Sequence, residues 1–484
     1  MPNGINIANG RRLDQAHARA VASGAYGPIV DRFRFYYAPF NYELVPDSAP
    51  LITDITEFVT SWQFSWDADT CKRSGSLDVD FSSMPESARY IKFSPGTVIE
   101  PGHGVYNVIQ NVGQGCVYAC HEILINGTWH RWPIGWFISR SVNYERNGFS
   151  TTSLRELRPG VFVIVESSLG MSPGRLELMD LTSYFEVVQT PSTYTIPVGT
   201  DYLAALKAVV TASGFWANVA INAPSDGSFD IGRWSVGPSG RHLTPRTISF
   251  NSRTTWKTIL DSLTEGCNYF PIFTTPNGEF TTGERVDPGL RPVEDIHGSL
   301  LTWEQVQNKA YGITIGTTVG NGWTMDSDLG VKAAFTFPQS SLWNQVVAKS
   351  SFANETAQFR VSQIIDVNSY LYEGNIGQWI TNEKQVENAA NVGVLQDIAT
   401  WWIHYADLHT VQLSVQTPVT MFTDRRIHPY MRARVAYDWR NGFPTFNDYV
   451  ELGWTIDGSG TMTRRFGTSP KFYGLLIDNP GSPS

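Results

Sequence analysis

A strand-then-helix module occurs twice in the middle of this chain, and that repetition limits the folds open to it more than any other feature. Tyr194-Thr195-Ile196-Pro197-Val198 reads as a strand, with Gly199 and Thr200 as turn and N-cap. Residues 201–213 read as a helix with Leu203, Leu206 and Val210 on one face and Gly214 as its stop. Further on, Thr247-Ile248-Ser249-Phe250 is a second strand, and residues 251–255 are polar and cap-like. Trp256, Ile259, Leu260 and Leu263 follow at i, i+3, i+4 and i+7, with Gly266 as the stop. Small polar residues before a helical apolar period, and glycine after it, satisfy the backbone groups that helix ends leave unpaired. Nearly everything outside this pair reads as β. The expectation is a β protein with one compact α/β insert, an organisation that points away from catalysis.

The flanks support this. Phe33, Phe35 and Tyr37 alternate with polar residues, as do Trp62, Phe64 and Trp66, then Leu77, Val79 and Phe81. Period-two alternation marks strands with one buried face. With short apolar runs at 90–93, 134–138 and 162–165, these predict a first β-barrel domain over residues 27–170, since closure removes exposed edges. Residues 1–26 form a polar, alanine-rich arm, in which 13–23 is either a short helix or a segment ordered only by a neighbour. Residues 95–126 read as a glycine-rich insertion. The α/β domain is expected over 171–290, opening at 175–180 and closing in a hairpin at Pro276-Asn277-Gly278, where Asn-Gly supplies positive φ. A second β-barrel domain is expected over 291–484, with strands at 310–318, 345–351, 359–365, 411–415, 433–437, 448–452 and 461–466. It carries one inserted helix at about 385–407, with Val386, Ala389, Val394, Ile398, Trp401, Trp402 and Tyr405 on its apolar face. The tail after Gly474 reads as loose.

Composition narrows the function. The net charge of −9 argues against a nucleic-acid grip, which needs a basic stripe. Charged residues make up only 17%, while there are 16 Trp, 20 Tyr and 26 Phe. Either large surfaces are buried against partners, or the aromatics reflect the ordinary preference of β domains. Four cysteines do not make a disulfide framework. No secretory leader and no apolar run of membrane-spanning length is visible, so folding in a cytoplasm without membrane insertion is expected.

Few residues suggest chemistry. There is no His-Glu-x-x-His, Gly-x-Ser-x-Gly elbow or Walker loop. His103, Cys116, Cys120, His121 and His130 form the only metal-like cluster. The cysteines lack the second matched pair of a zinc site, so buried thiols among scattered histidines are favoured over a metal. Asp78 and Asp80 share the solvent face of a strand, whereas a glycosidase needs carboxylates across a cleft. Trp129, Trp132 and the pair Trp401-Trp402 could stack on sugars, but the helical period favours a core role for the pair. Arg425, Arg426, Arg432, Arg434, Arg440, Arg464 and Arg465 form the densest basic region. They read as a solvated β face paired to acids, or as a contact to an acidic partner. No catalytic, cofactor-binding or metal residue is assigned, and no cofactor is expected.

Three stretches carry a resemblance. The first is Trp62-Gln63-Phe64-Ser65-Trp66-Asp67-Ala68 through Lys72-Arg73-Ser74-Gly75-Ser76-Leu77-Asp78-Val79. The second is Leu176-Glu177-Leu178-Met179-Asp180 with Tyr194-Thr195-Ile196-Pro197-Val198-Gly199-Thr200. The third is Trp256-Lys257-Thr258-Ile259-Leu260-Asp261-Ser262-Leu263, continuing to Phe273 and Asn277-Gly278-Glu279-Phe280. In order and spacing over residues 50–285 the chain resembles the tail-hub (baseplate hub or minor tail protein) family of long-tailed bacteriophages. The resemblance implies a mainly β fold with α+β elements: two tail-tube-like β-barrel domains, an α/β domain and a long helix near the C-terminal barrel. It implies a homotrimeric ring at the tail tip of the virion. The ring would meet the tail-tube hexamer or distal tail protein on one side and a central spike or fibre protein on the other. Its channel would hold the tape-measure protein and pass DNA without specific binding. No enzyme activity is implied. Two rival readings stay open: a tail-associated cell-wall hydrolase, marked by opposed carboxylates or a metal triad, and a carbohydrate- or receptor-binding tail protein, marked by exposed Trp faces.

Overall fold

The computed structural model describes residues 30–39, 53–80, 115–125, 127–146, 152–158, 161–166, 171–214, 243–276, 278, 280–285, 313–315, 323–325, 332–336, 343–350, 358–365, 369, 371–419, 429–435, 447–468 and 474–477. The N-terminal half supplies β1 (Asp31–Pro39), β2 (Thr53–Asp54), β3 (Val59–Asp67), β4 (Lys72–Val79), β5 (Gly115–Ile125), β6 (Thr128–Arg146), β7 (Thr152–Arg158), β8 (Val161–Glu166) and β9 (Met171–Asp180). Next come β10 (Tyr194–Ile196), α1 (Tyr202–Ala212), β11 (Ile248–Phe250), α2 (Trp256–Gly266), β12 (Phe273–Thr274) and β13 (Phe280–Thr281). The C-terminal half supplies β14 (Ile313–Ile315), β15 (Trp323–Met325), β16 (Lys332–Thr336), β17 (Gln345–Ser350), β18 (Gln358–Ile364), β19 (Thr381–Gln385), α3 (Val392–Leu408), β20 (Gln412–Pro418), β21 (Met431–Val435), β22 (Asn447–Asp457), β23 (Thr461–Thr468) and β24 (Gly474–Ile477). The fold is mainly β with α+β elements, as the alternation indicates.

Strands from the two halves merge. Among the described residues a twelve-stranded sheet runs β16-β20-β23-β22-β3-β4-β9-β6-β5-β1-β2, with β21 also beside β22, and it curls into a half-barrel. β22 makes the join. Its first part pairs with β21, from Val435 opposite Asn447 to Met431 opposite Glu451. Its second part pairs with β3, from Gly453 opposite Asp67 to Asp457 opposite Gln63. Its register on β23 shifts between Glu451 and Gly453, where one partner gives way to the other. Glycine is needed at this handover, because a Cβ at position 453 would collide with the Trp66 carbonyl oxygen.

Three apolar cores follow. The first unites Phe64, Trp66, Leu77 and Leu176 with Val450, Leu452, Trp454 and Ile456, so both halves of the chain fill one interior. The second lies on the other face of β5 and β6, where Tyr118, Cys120 and Trp136 meet Leu206, Val209, Ile259 and Leu263 of α1 and α2. The third packs α3 on β17 and β18 through Val346, Ala348, Ile364, Leu395 and Ile398. Each fully buried large apolar side chain contributes about 1.5–3 kcal/mol.

The twin modules form as their sequence predicts. Asp201 caps α1 by accepting from Ala204 N at 2.9 Å, and Thr255 caps α2 by accepting from Thr258 N at 3.2 Å. Their strands pair with each other, Tyr194 opposite Phe250. Gly214 follows α1 in left-handed backbone. Gly266 differs from expectation: it is the last residue inside α2, and a Cβ there would strike the Asn388 carbonyl oxygen.

Other expectations need correction. The stretch read as an insertion to residue 126 ends in a strand, β5. Residues 117–123 are all buried, Val117 and Ala119 in the first core and Tyr118 and Cys120 in the second. Burial on both faces erases the alternation that betrays a strand. β9, read as the opening of the α/β domain, lies in the large sheet between β4 and β6. The long helix starts at Val392, not near Gln385, because Asn391 caps it by accepting from Val394 N at 3.1 Å and Gln385 ends β19 opposite Lys349. Val386 and Ala389 belong to the same core as α3, which extends the apparent period upstream. Residues 474–477 are not loose: they pair with β18. The N-terminal arm, the rest of the insertion and the 90–93 run lie outside the described residues.

Gly453→Ala is expected to lower stability by about 1–3 kcal/mol, the usual cost of overpacking, read as a reduced denaturant midpoint. Gly458→Ala is the control, since a Cβ there meets only Trp62 at ordinary contact distance, 3.4 Å. Equal stability of both variants would remove the close strand approach from the account.

Candidate functional site

Polar side chains concentrate at three joins between modules. β4 carries Arg73 into the first core, where it is 1% exposed. Its guanidinium lies 4.6 Å from the centre of the Trp66 ring and donates to the Thr274 carbonyl. Asp180, at the end of β9, accepts from Thr274 Oγ1 at 2.6 Å and from Thr182 N at 2.9 Å. Burial pushes the Asp180 carboxyl above the usual carboxylate range, while the charge of Arg73 and these hydrogen bonds oppose the shift. The cluster ties the large sheet to the α/β region.

Asn388 makes the second join. The Tyr202 hydroxyl donates to its carbonyl. Arg246 donates to its Oδ1 from Nε at 3.2 Å and Nη2 at 3.1 Å, and its Nδ2 donates to Ser262 Oγ at 3.2 Å. Ala390 N donates to the Gly266 carbonyl at 2.9 Å. The α/β region is thus latched to the segment between β19 and α3.

The third join closes the sheet seam. Asp69, in the turn between β3 and β4, accepts from Tyr430 Oη at 2.6 Å and lies 3.1 Å from His409 Nε2. Arg465 on β23 pairs with Asp67 at 2.9 Å. Burial pushes the Asp69 carboxyl up and the His409 imidazole down, and their attraction opposes both shifts.

The residues singled out in the sequence do not converge. Cys120 and His121 occupy opposite faces of β5. His121 lies 2.8 Å from Asp31 and stacks on Phe33 with centroids 4.6 Å apart. Positions 116 and 120 stand about 13 Å apart along the strand. Among the described residues no group of three or more His, Cys, Asp or Glu could hold a metal ion. His103, Arg425, Arg426 and Arg440 lie outside the described residues, as do the side chains of Cys116, His130, Trp132, Arg432 and Arg434. Asp78 accepts from the Ser61 hydroxyl, and Asp80 N bonds the Phe58 carbonyl at 2.8 Å. Trp401 is core, with Phe270 and Tyr430 ring centroids at 5.1 Å and 5.3 Å. Trp402 is half-buried beneath Lys384 Nζ, 3.6 Å from its ring centre. Arg464 lies 3.7 Å from Glu451, so it and Arg465 sit beside acids.

The joins themselves went unnoticed in the sequence. Arg73 had a signal: it shares strand parity with Leu77 and Val79, so it is an arginine on an apolar face. Asn388 and Asp69 sit in polar turns and had none.

No protein-family model matches the chain, and no curated protein does. Solved structures that resemble it include phage tail and baseplate proteins. The tail protein from Neisseria meningitidis MC58 superposes with a TM-score of 0.48 at 10% identity, covering 90% of this chain and 96% of that one. The 43 kDa tail protein of prophage MuSo2 from Shewanella oneidensis gives 0.47 at 9%, covering 90% and 98%. A prophage tail protein from Listeria monocytogenes gives 0.38 at 8%, covering 90% and 95%.

Two outcomes are expected from these joins. Arg73→Met leaves the Asp180 carboxyl buried without its cation and should cost about 3–5 kcal/mol in chemical denaturation, with partial recovery in the Arg73→Met, Asp180→Leu double variant. Cys71, Cys120 and Cys267 are free and buried, and burial pushes all three thiols up. Their peptides should stay unlabelled by iodoacetamide at pH 8 until the protein unfolds. Labelling of any of the three in the native state would contradict the burial.

Proposed function

We propose that this chain is a structural hub protein of a phage tail tip. Three copies close into a ring that adapts a six-fold tail tube or distal tail ring to a three-fold central spike or fibre, around the channel for the tape-measure protein and DNA. The observation that carries this reading is the shared sheet. One polypeptide brings two β modules, one from each side of the α/β region, and joins them through β3 and β22. Three such chains bring six modules, so a closed trimer can meet a hexamer module for module. The stretches that resemble tail-hub proteins fall on β3 and β4, on β9 and β10, and on α2 through β13. Among these elements, β3, β4, β9 and β12 carry the first join, and β3 is one side of the seam. Under this reading the barrel-type domains span about 27–180, with β9 included, and 291–484, and the protein resides at the virion tail tip. The role calls for no bond-breaking step.

Cryo-EM of intact particles, averaged without imposed symmetry, tests the reading. The expected result is three copies of this chain in one ring beside a six-fold ring. Six equivalent copies in that ring, or particles that lack the chain, would overturn it.

A further inference from the structure

One face of β1, β5 and β6 gathers three arginines around a single buried carboxylate. Arg32 and Arg34 project from the same side of β1, opposite Glu122 and Cys120 of β5, and Arg131 of β6 lies opposite Glu122 on its other flank. The Glu122 side chain is 5% exposed. Arg32 Nε donates to its Oε2 at 2.8 Å, Arg34 Nε approaches the same oxygen at 3.7 Å, and Arg131 Nε donates to its Oε1 at 2.9 Å. Arg34 Nη1 also pairs with Asp54 at 2.6 Å, and Arg131 Nη2 donates to Tyr36 Oη at 3.1 Å. Two of the guanidiniums lie over rings: Arg32 at 3.9 Å from the Trp129 centroid and Arg131 at 5.1 Å from that of Tyr36. Asp31 points to the opposite face, toward His121.

Among the described residues the cluster carries more positive than negative charge: three guanidiniums face two carboxylates, Glu122 and Asp54. Arg32 donates only from Nε, and its two terminal nitrogens make no hydrogen bond or ion pair among the described residues. Arg34 Nε is buried without a hydrogen-bond partner. The side chains are still reachable, with exposures of 37%, 28% and 23% for Arg32, Arg34 and Arg131. The arms are also held in place, by a shared buried carboxylate and by stacking, so little freedom remains to be lost on binding. A planar fork with free parallel N–H groups matches a carboxylate.

We propose that this face is a docking site for an acidic side chain, Asp or Glu, presented by a segment of a partner protein. A single carboxylate fits the unused fork of Arg32 and matches the charge left over among the described residues. A nucleic-acid strand would bring a charge at every phosphate against Asp54, Glu122 and a chain of net charge −9. The site does not depend on the ring reading, because it is defined by the side chains of one molecule.

The test is fluorescence anisotropy of a fluorescein-labelled hexaglutamate peptide titrated with the full chain at low salt. The wild type should bind it, with affinity falling as salt rises. Arg32→Gln should weaken binding by about tenfold or more, the loss of one charge-assisted contact. Arg175→Gln, an exposed arginine on β9, should bind like the wild type. Unlabelled hexaglutamate should compete, and an oligothymidylate of equal charge should not. Failure of the wild type to bind, unchanged binding by Arg32→Gln, or equal competition by the oligonucleotide would overturn the proposal. Circular dichroism of each variant separates lost binding from lost fold.

Discussion

The architecture depends on how β22 spends one of its edges. The strand pairs with β21 up to Glu451 and with β3 from Gly453 onward. Those few shared rungs join segments nearly four hundred residues apart in sequence, and Arg465 with Asp67 repeats the link in side chains. Without them each half would present an open edge to solvent and a half-filled interior, a state that sheet proteins avoid. With them Trp66 and Trp454 become cross-strand neighbours in a common core. Backbone must approach backbone closely at this point, which is why glycine occupies position 453.

Apolar burial holds the three modules together, but polar joins set their angles. Large flat aromatic contacts tolerate sliding; hydrogen bonds of fixed geometry do not. Arg73 and Asp180 orient the α/β region on the sheet. Asn388 uses its carbonyl, Oδ1 and Nδ2 together, so the latch on α1 and α2 admits one arrangement. Asp69 gathers His409 and Tyr430 from the C-terminal half around a turn of the N-terminal half. The proposed hub role would call for this rigidity, because errors in module angle would add around a ring.

The twin modules were legible because helix caps and helical periods are local. Thr255, Asp201 and the run from Trp256 to Leu263 carry their own instructions within a dozen residues. β3 and β4 were legible for the same reason, through alternation. β5 was not, since a strand buried on both faces shows no period, and the glycines before it read as loop. The start of α3 was misplaced because Val386 and Ala389 fall on the helical apolar period while belonging to the connection between β19 and α3, which packs in the same core. The merging of two halves into one sheet leaves no local trace: strand partners are chosen by tertiary packing, and Gly453 alone hints at a crowded backbone. The arginine face of β1 was visible only as polar positions alternating with Phe33 and Phe35. Its meaning appears when Glu122 and Arg131 arrive from other strands.

Native-state hydrogen exchange tests the shared sheet most directly. The amides of residues 63–67 and 453–457 should exchange with one common free energy, equal to that of global unfolding, as members of one cooperative unit. Exchange of the β3–β4 amides through a separate, lower-energy opening while β22 and β23 stay protected would contradict the account.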